Sequence, residues 1–248
     1  MQIDLKPYLH KVEKFLHTPS LLPKLIVIYG PTACGKTSLS IELAKYLESE
    51  IISADSRQIF RYMNIGTGKV TLEEMQGISH YMLDIRDPDE QYSVGEYQKE
   101  AFGIIENIHA QKKVPILCGG TGLYIDALVF HFDIPALEPD WIYRDSLDKI
   151  RLEKGNEYLW KILFEKDPDY ALTLHYNNHH AVIRALEVLE KTGKSKSELR
   201  AKKDPLFDLL FLTPYDGDRA KLYGRINTRI ESMFDQGLIE EVKSIQER

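Results

Sequence analysis

Gly30-Pro31-Thr32-Ala33-Cys34-Gly35-Lys36-Thr37 has the GxxxxGK[ST] spacing of a polyphosphate cradle. The chemistry follows from the residue types. Glycines let backbone amides wrap an anion, and a helix opening beside Lys36 turns its N–H groups and positive dipole end toward it. Lys36 adds a full positive charge, and the Thr37 hydroxyl is a hard oxygen ligand for Mg2+. The motif implies a bound polyphosphate. It does not say which one, and it carries no implication of ATP hydrolysis. Cys34 fits as a small residue in a loop that takes small residues, with no redox or nucleophilic role expected. Its place at a helix N-terminus nevertheless predicts a lowered thiol pKa and some reactivity. A second group follows in Ser53-Ala54-Asp55-Ser56-Arg57-Gln58-Ile59-Phe60 and Met63-Asn64-Ile65-Gly66-Thr67-Gly68-Lys69. In a parallel sheet the strand C-termini gather at one edge, so Asp55 is expected to face the phosphates. By residue type alone it reads equally as a magnesium-shell carboxylate, a helix N-cap or a general base.

These residues need a sheet and helices to bring them together. Lys24 to Tyr29 (KLIVIY) is a short apolar run that stops at Gly30, as a buried parallel strand does. Leu39, Ile41, Leu43, Ala44 and Leu47 recur at helical spacing over Thr37 to Leu47. Ile51-Ile52 opens a second strand, Tyr81 to Ile85 is a weaker third, Glu96 to Ala110 is a helix, and Val114 to Cys118 is another buried strand. This alternation predicts a P-loop NTPase-like α/β fold, a parallel sheet flanked by helices. From about residue 126 the pattern is helical only: Asp140 to Lys154, Tyr158 to Glu165, Pro168 to Leu174 and His179 to Lys191. Phe207 to Leu212 returns to strand, and Asp218 to Gln236 is a long helix. The expected organisation is an N-terminal helical extension (1–23), a phosphate-loop core (24–125), an inserted helical sub-domain (126–203) and a return to the core (204–248).

Composition sets outer limits. The 248 residues, 43% of them hydrophobic and 28% charged, suit one large domain or a core with a sub-domain. No apolar run approaches the ~18 residues that cross a bilayer, and the N-terminus lacks a secretory pattern, so a cytoplasmic address is expected. Cys34 and Cys118 are the two cysteines, without metal or disulfide spacing. The net charge of −6 does not favour a nucleic-acid partner, although phosphate contacts need only local basic charge. Lys191, Lys194, Lys196, Arg200, Lys202 and Lys203 form one such local run, which from charge alone reads as a solvated helix end and loop. His179 and His180 are adjacent on a helix and do not share a face, which argues against a metal pair.

Several motifs in register resemble the tRNA dimethylallyltransferase (isopentenyltransferase) family. They are GPTACGKT, IISADSRQIFRYMNIGTGK, HYMLDIRDPDEQYS, ILCGGTGLYIDAL and HYNNHHAVIRALEV, followed by Arg219, Arg225 and Arg229 before Gly237-Leu238. They run from about residue 24 to 240 in the family's order. The resemblance implies transfer of a dimethylallyl group from dimethylallyl diphosphate to the exocyclic amine of the adenosine 3′ of the anticodon. It implies Asp55 as the base, with Gly30 to Thr37, Thr32 and Thr37 in particular, on the diphosphate and Mg2+. It also implies Arg229, and with it Arg225, as arginines reaching the diphosphate, and Thr121 as lining the channel where the base enters. The implied tRNA contacts are Asp55, Ser56, Arg57, Gln58, Thr121, Arg144, His180 (where the family commonly has glutamine) and Arg184. The helical insertion would grip the anticodon stem-loop, and no obligate protein partner is implied.

The family's pattern continues beyond the last residue here, Arg248, with a further tRNA-contacting stretch. A shortened chain, with weakened tRNA binding, is the expected explanation. The alternatives are an adenylate isopentenyltransferase acting on free nucleotide and an ATP-dependent nucleotide or small-molecule kinase. The Asp55 to Gln58 and Gly66 to Lys69 segments favour the tRNA-modifying branch over the first. The motif order after residue 50 argues against the second. A non-catalytic tRNA-binding module is a further reading, but it leaves Lys36, Thr37 and Asp55 without a purpose.

Overall fold

The computed structural model describes residues 4–135, 137–199, 201 and 204–248. Of the basic run, Arg200, Lys202 and Lys203 lie outside the described residues. The chain forms two compact units. Residues up to Phe130 and from Pro205 onward make one, and His131–Asp204 make the other.

The first unit opens with α1 (Lys6–His17), β1 (Lys24–Tyr29), α2 (Lys36–Leu47) and β2 (Ile51–Ala54). It continues with α3 (Leu72–Met75), β3 (His80–Tyr81), α4 (Val94–Ala110), β4 (Ile116–Gly119) and α5 (Gly122–Val129). The second unit is helical: α6 (Trp141–Lys154), α7 (Asn156–Lys166), α8 (Pro168–Ala171), α9 (His179–Thr192) and α10 (Lys196–Leu199). The first unit then resumes with β5 (Asp208–Leu212), α11 (Arg219–Asp235) and α12 (Leu238–Gln246).

The five strands are parallel in the order β3-β2-β4-β1-β5. β1 lies between β4 and β5, and its side chains alternate between two cores. Leu25 and Val27 pack with Tyr97, Ile105 and Leu128 under α4 and α5, and Ile26 and Ile28 pack with Val12, Leu39 and Leu43 under α1 and α2. A strand covered on both faces is apolar at successive positions, which is why Leu25 to Ile28 read as a continuous run. Truncating any of these fully buried side chains to alanine costs ~2–5 kcal/mol. Helix starts are marked by side chains. Ser93 and Glu96 form a reciprocal capping box on α4, Thr71 and Glu74 do so on α3, and Asp218 caps α11 through Lys221 N–H.

Two expectations need correction. The third strand is not Tyr81 to Ile85. Met82 and Asp84 take positive φ (64° and 54°) and leave the extended region after Tyr81. Ile85 and Arg86 N–H groups instead donate to the Ile59 carbonyl at 2.8 and 3.1 Å. The start of the helical unit also differs, because residue 126 falls inside α5. Tyr124, Ile125, Leu128 and Val129 on that helix belong to the sheet's core. The long helix expected over Asp218 to Gln236 is α11 with its two caps, and α12 follows after Gly237.

One close approach fixes the sheet edge that carries the site. Gly119 pairs with Ala54, and a Cβ on Gly119 would sit 2.1 Å from the Ala54 carbonyl oxygen. A glycine is required there so that β2 and β4 end side by side.

Candidate active site

The loops after β1, β2 and β4 meet at that edge around a cavity of about 80 Å³. Thr32, Lys36, Thr37 and Ser40 line it from the phosphate loop and α2, and Ser53, Asp55 and Gln58 from β2 and its following turn. Thr67, Gly68 and Arg229 come from the GTG turn and α11, while Ile51, Val70, His80, Leu83, Cys118 and Gly119 complete the wall. Lys36 Nζ donates to the Pro31 carbonyl at 2.9 Å, folding the lysine across its own loop. α2 begins at Lys36 with no side-chain cap among the described residues, so its first N–H groups remain donors for an anion.

Asp55 is held by its own turn, its Oδ1 accepting from Arg57 N–H at 2.9 Å. The turn is braced from β4. Thr121 N–H donates to the Ala54 carbonyl at 3.0 Å. The Thr121 hydroxyl accepts from Ser56 N–H at 2.9 Å and donates to Ser56 Oγ at 3.3 Å. Behind β2, the buried Tyr97 hydroxyl donates to the Ser53 carbonyl at 3.0 Å, and its ring stacks on Tyr124 at 4.0 Å. Gln58 points inward. Its Nε2 donates to the Thr67 and Gly68 carbonyls at 3.4 and 3.3 Å. Arg229 Nη2 reaches the same two carbonyls at 3.5 and 3.3 Å. Gly68 has φ +57°, and a Cβ there would lie 1.5 Å from Arg229 Nη2. The glycine is thus required both by the backbone and by the guanidinium seated over it.

Electrostatics correct one expectation. Burial pushes the Cys34 thiol up, outweighing the opposing pull of the Lys36 charge, two backbone N–H groups and the Arg225 charge. Cys34 is 1% exposed, so desolvation of the thiolate outweighs the helix N-terminus, and the shift runs opposite to the lowered thiol pKa expected there. Burial likewise raises Cys118 to about 11. His80 moves down for the same reason, its burial penalising the cation. Its Nδ1 meets the Ile78 carbonyl at 2.9 Å, which places the proton there, and Nε2 has no hydrogen-bond partner among the described residues.

In the helical unit, Arg144 and Arg184 converge on Glu187, whose side chain is fully buried. Arg144 donates through Nε and Nη2 at 3.0 and 2.9 Å, and Arg184 through Nη1 at 2.5 Å. Burial alone would raise the Glu187 carboxyl, but the hydrogen bonds from both arginines and from Asp140 N–H hold it at about 2. His180 is exposed on α9, its ring 4.1 Å from that of His179. Among the described residues no group of three or more His, Cys, Asp or Glu side chains is arranged to hold a metal ion.

The family profile described as IPP transferase matches residues 58–248. A tRNA dimethylallyltransferase of Bacillus mycoides is 48% identical over 226 residues, covering 91% of this chain and 71% of that protein. The chain belongs to the IPP transferase family. The tRNA isopentenylpyrophosphate transferase of Bacillus halodurans is 41% identical over 91% of this chain and 70% of its own, with a TM-score of 0.60. A eukaryotic dimethylallyltransferase whose structures capture it acting on tRNA is 33% identical over 91% of this chain and 56% of its own, with a TM-score of 0.75.

In this IPP transferase the structure brings Thr32, Lys36, Thr37, Asp55, Gln58 and Arg229 to one cavity. Arg225 lies one turn before Arg229, exposed, close enough to the phosphate loop for its charge to act on Cys34. Thr121 does not line the cavity; its hydroxyl is spent on Ser56. Sequence reasoning missed three residues here. Lys69 looks like a second phosphate lysine after a glycine turn, yet it is 8% exposed. It is bound to the Phe60 carbonyl, Asn64 Oδ1 and Asp84 Oδ1 at 2.7, 3.0 and 2.5 Å. Glu187 was hidden because a lone glutamate in an apolar helical stripe gives no signal until its two arginines are seen in space. Glu241 was hidden because its partners lie 175 to 177 residues away.

Proposed function

We propose that this IPP transferase moves a dimethylallyl group from dimethylallyl diphosphate to the N6 amine of the adenosine 3′ of the anticodon in tRNA, releasing diphosphate. The observation that carries this reading is the sharing of one cavity by a phosphate loop, a facing arginine and a carboxylate. Lys36, the α2 N–H groups and Arg229 would bind the diphosphate, with Arg225 adding charge at the rim. As the allylic C–O bond breaks, negative charge grows on the leaving oxygens, where these cations act most strongly. The adenine amine is a weak nucleophile because its lone pair is delocalised. Asp55, oriented by Arg57 N–H, would accept its proton as the N6–C bond forms.

Hard oxygen donors suit Mg2+, and the Thr37 hydroxyl and Asp55 carboxylate line the same cavity. A bound Mg2+ would neutralise diphosphate charge and improve the leaving group, with Thr37 as its protein ligand. Thr32 would contact the diphosphate. Ser56 and Thr121 would act by bracing the Asp55 turn, while exposed Arg57 faces incoming tRNA and Gln58 reads the entrance. In the helical unit, His180, Arg144 and Arg184 would meet the anticodon stem-loop, the two arginines through guanidinium edges not committed to Glu187. The target base must leave its stack to reach the site. Among the described residues no helix is long and apolar enough to cross a membrane, and we place the enzyme in the cytoplasm with its tRNA.

The test is transfer of labelled dimethylallyl from its diphosphate, with Mg2+, to unmodified tRNA and to AMP in parallel. Label in tRNA alone supports the reading. Label in AMP alone moves the enzyme to free-nucleotide chemistry, and label in neither acceptor refutes the reaction for this chain.

A further inference from the structure

We propose that Glu241 is a positioning residue for the donor site, holding the Asn64–Gly66 backbone so that the adjoining Thr67 and Gly68 carbonyls aim Arg229 at the cavity. The proposal rests on the reading of Arg229 as a diphosphate ligand. Glu241 lies on α12, and its carboxylate accepts three consecutive backbone N–H groups. Oε2 takes Asn64 and Ile65 at 2.8 and 2.7 Å, and Oε1 takes Gly66 at 2.9 Å. Consecutive N–H groups converging on one point form an anion-binding nest, and here the anion is supplied by the chain itself. Such charge-assisted bonds are short and about twice as strong as neutral ones.

The next two residues of the same turn present the opposite polarity. Thr67 and Gly68 offer their carbonyls to Arg229, which sits on α11. The turn is therefore gripped on its N–H side by a glutamate and on its C=O side by an arginine, from consecutive helices. The Arg229 contacts are long, at 3.5 and 3.3 Å, so they orient the guanidinium without consuming it. The carbonyls must be fixed for that orientation to persist: Gln58 Nε2 meets them directly, and the three Glu241 bonds hold the backbone that leads into them. If Glu241 served only to dock α12, its loss would lower stability and leave donor affinity alone.

The experiment compares wild type, Glu241→Ala and Glu241→Gln in the full chain, with kcat, KM for dimethylallyl diphosphate, KM for tRNA, calorimetric binding of inorganic diphosphate, and Tm. Glu241→Ala is expected to raise the donor KM and weaken diphosphate binding about tenfold, with the tRNA KM within about twofold of wild type. Glu241→Gln keeps one oxygen for Asn64 and Ile65 but turns an amide NH2 toward Gly66 N–H, so its donor KM falls between the two. Unchanged donor KM and diphosphate affinity in Glu241→Ala, with or without a lower Tm, overturn the proposal. If the alanine variant does not fold, the glutamine variant carries the same readouts, and wild-type donor KM there overturns it equally. Diphosphate binding needs no transfer. A wild type that binds diphosphate but labels no tRNA fails the functional reading, while the Glu241 comparison still decides this one.

Discussion

Gly68→Ala separates the geometry of Arg229 from its charge. A Cβ at residue 68 would fall 1.5 Å from Nη2 and 2.5 Å from Cζ of Arg229, so the guanidinium must leave its seat. The variant carries two costs on different ledgers. Alanine at φ +57° strains the backbone by ~1–2 kcal/mol, a folding cost that lowers Tm by roughly 2–4 °C per kcal/mol. A misplaced charged donor costs ~1.5–3 kcal/mol at the transition state, or roughly 10- to 150-fold in kcat/KM. The assay is kcat/KM for dimethylallyl diphosphate at saturating tRNA in Gly68→Ala, Arg229→Ala and the double variant. If the alanine acts by evicting Arg229, the double variant matches Arg229→Ala within about twofold, because the second change has nothing left to displace. A double-variant loss equal to the product of the two single losses would refute the seating of Arg229 on Gly68 as the cause.

Asp55→Asn keeps an oxygen for Arg57 N–H and removes the base, so diphosphate binding persists while kcat falls ~100-fold or more; turnover within tenfold of wild type contradicts the assignment. Lys36→Ala is expected to weaken diphosphate binding by calorimetry, and unchanged affinity would remove the phosphate loop from the argument. The folded Glu187 carboxyl is held at about 2 against an ordinary 4.5, so its stabilisation is complete above about pH 4.5 and drains away as pH falls toward 2. Glu187→Ala should cost roughly 1–3 kcal/mol at neutral pH and flatten that acid limb in chemical denaturation. An acid limb as steep as wild type would place the linkage on another group.

The phosphate loop and the central strands were legible because their signals are local. Leu25 to Ile28 are apolar at every position because both faces of β1 are covered there, and GPTACGKT has fixed spacing because amides must surround an anion. The topology of parallel sheets puts Asp55 at the strand C-termini beside the phosphate loop, while its residue type alone fits three roles. The failures are those of non-local physics. Cys34 was judged by its helix terminus, whereas its burial decides the thiol. Tyr81 to Ile85 has strand composition but spends its hydrogen bonds on the Ile59 carbonyl, a partner no period reveals. Glu241 acts through backbone groups, which leave no trace in residue type, and Lys69 is bound to Asp84, 15 residues away.

The strand order also sets an order of assembly. β1 lies between β4 and β5, and its partner across Lys24–Asp208 is 184 residues downstream. The whole helical unit is made between them. At a ribosomal rate of ~5–20 residues per second, one edge of β1 waits roughly 4–18 s after β4 has emerged. During that interval β1, with Leu25 to Ile28 apolar in succession, offers unpaired N–H and C=O groups along one edge. The helical unit carries its own core of Leu159, Leu163, Val182 and Leu186, so it is able to collapse by itself while the sheet stays open. The vulnerable species of this enzyme is therefore a four-stranded nascent sheet, and the strand that seals it, β5, is the one a neighbouring nascent chain is equipped to supply in its place.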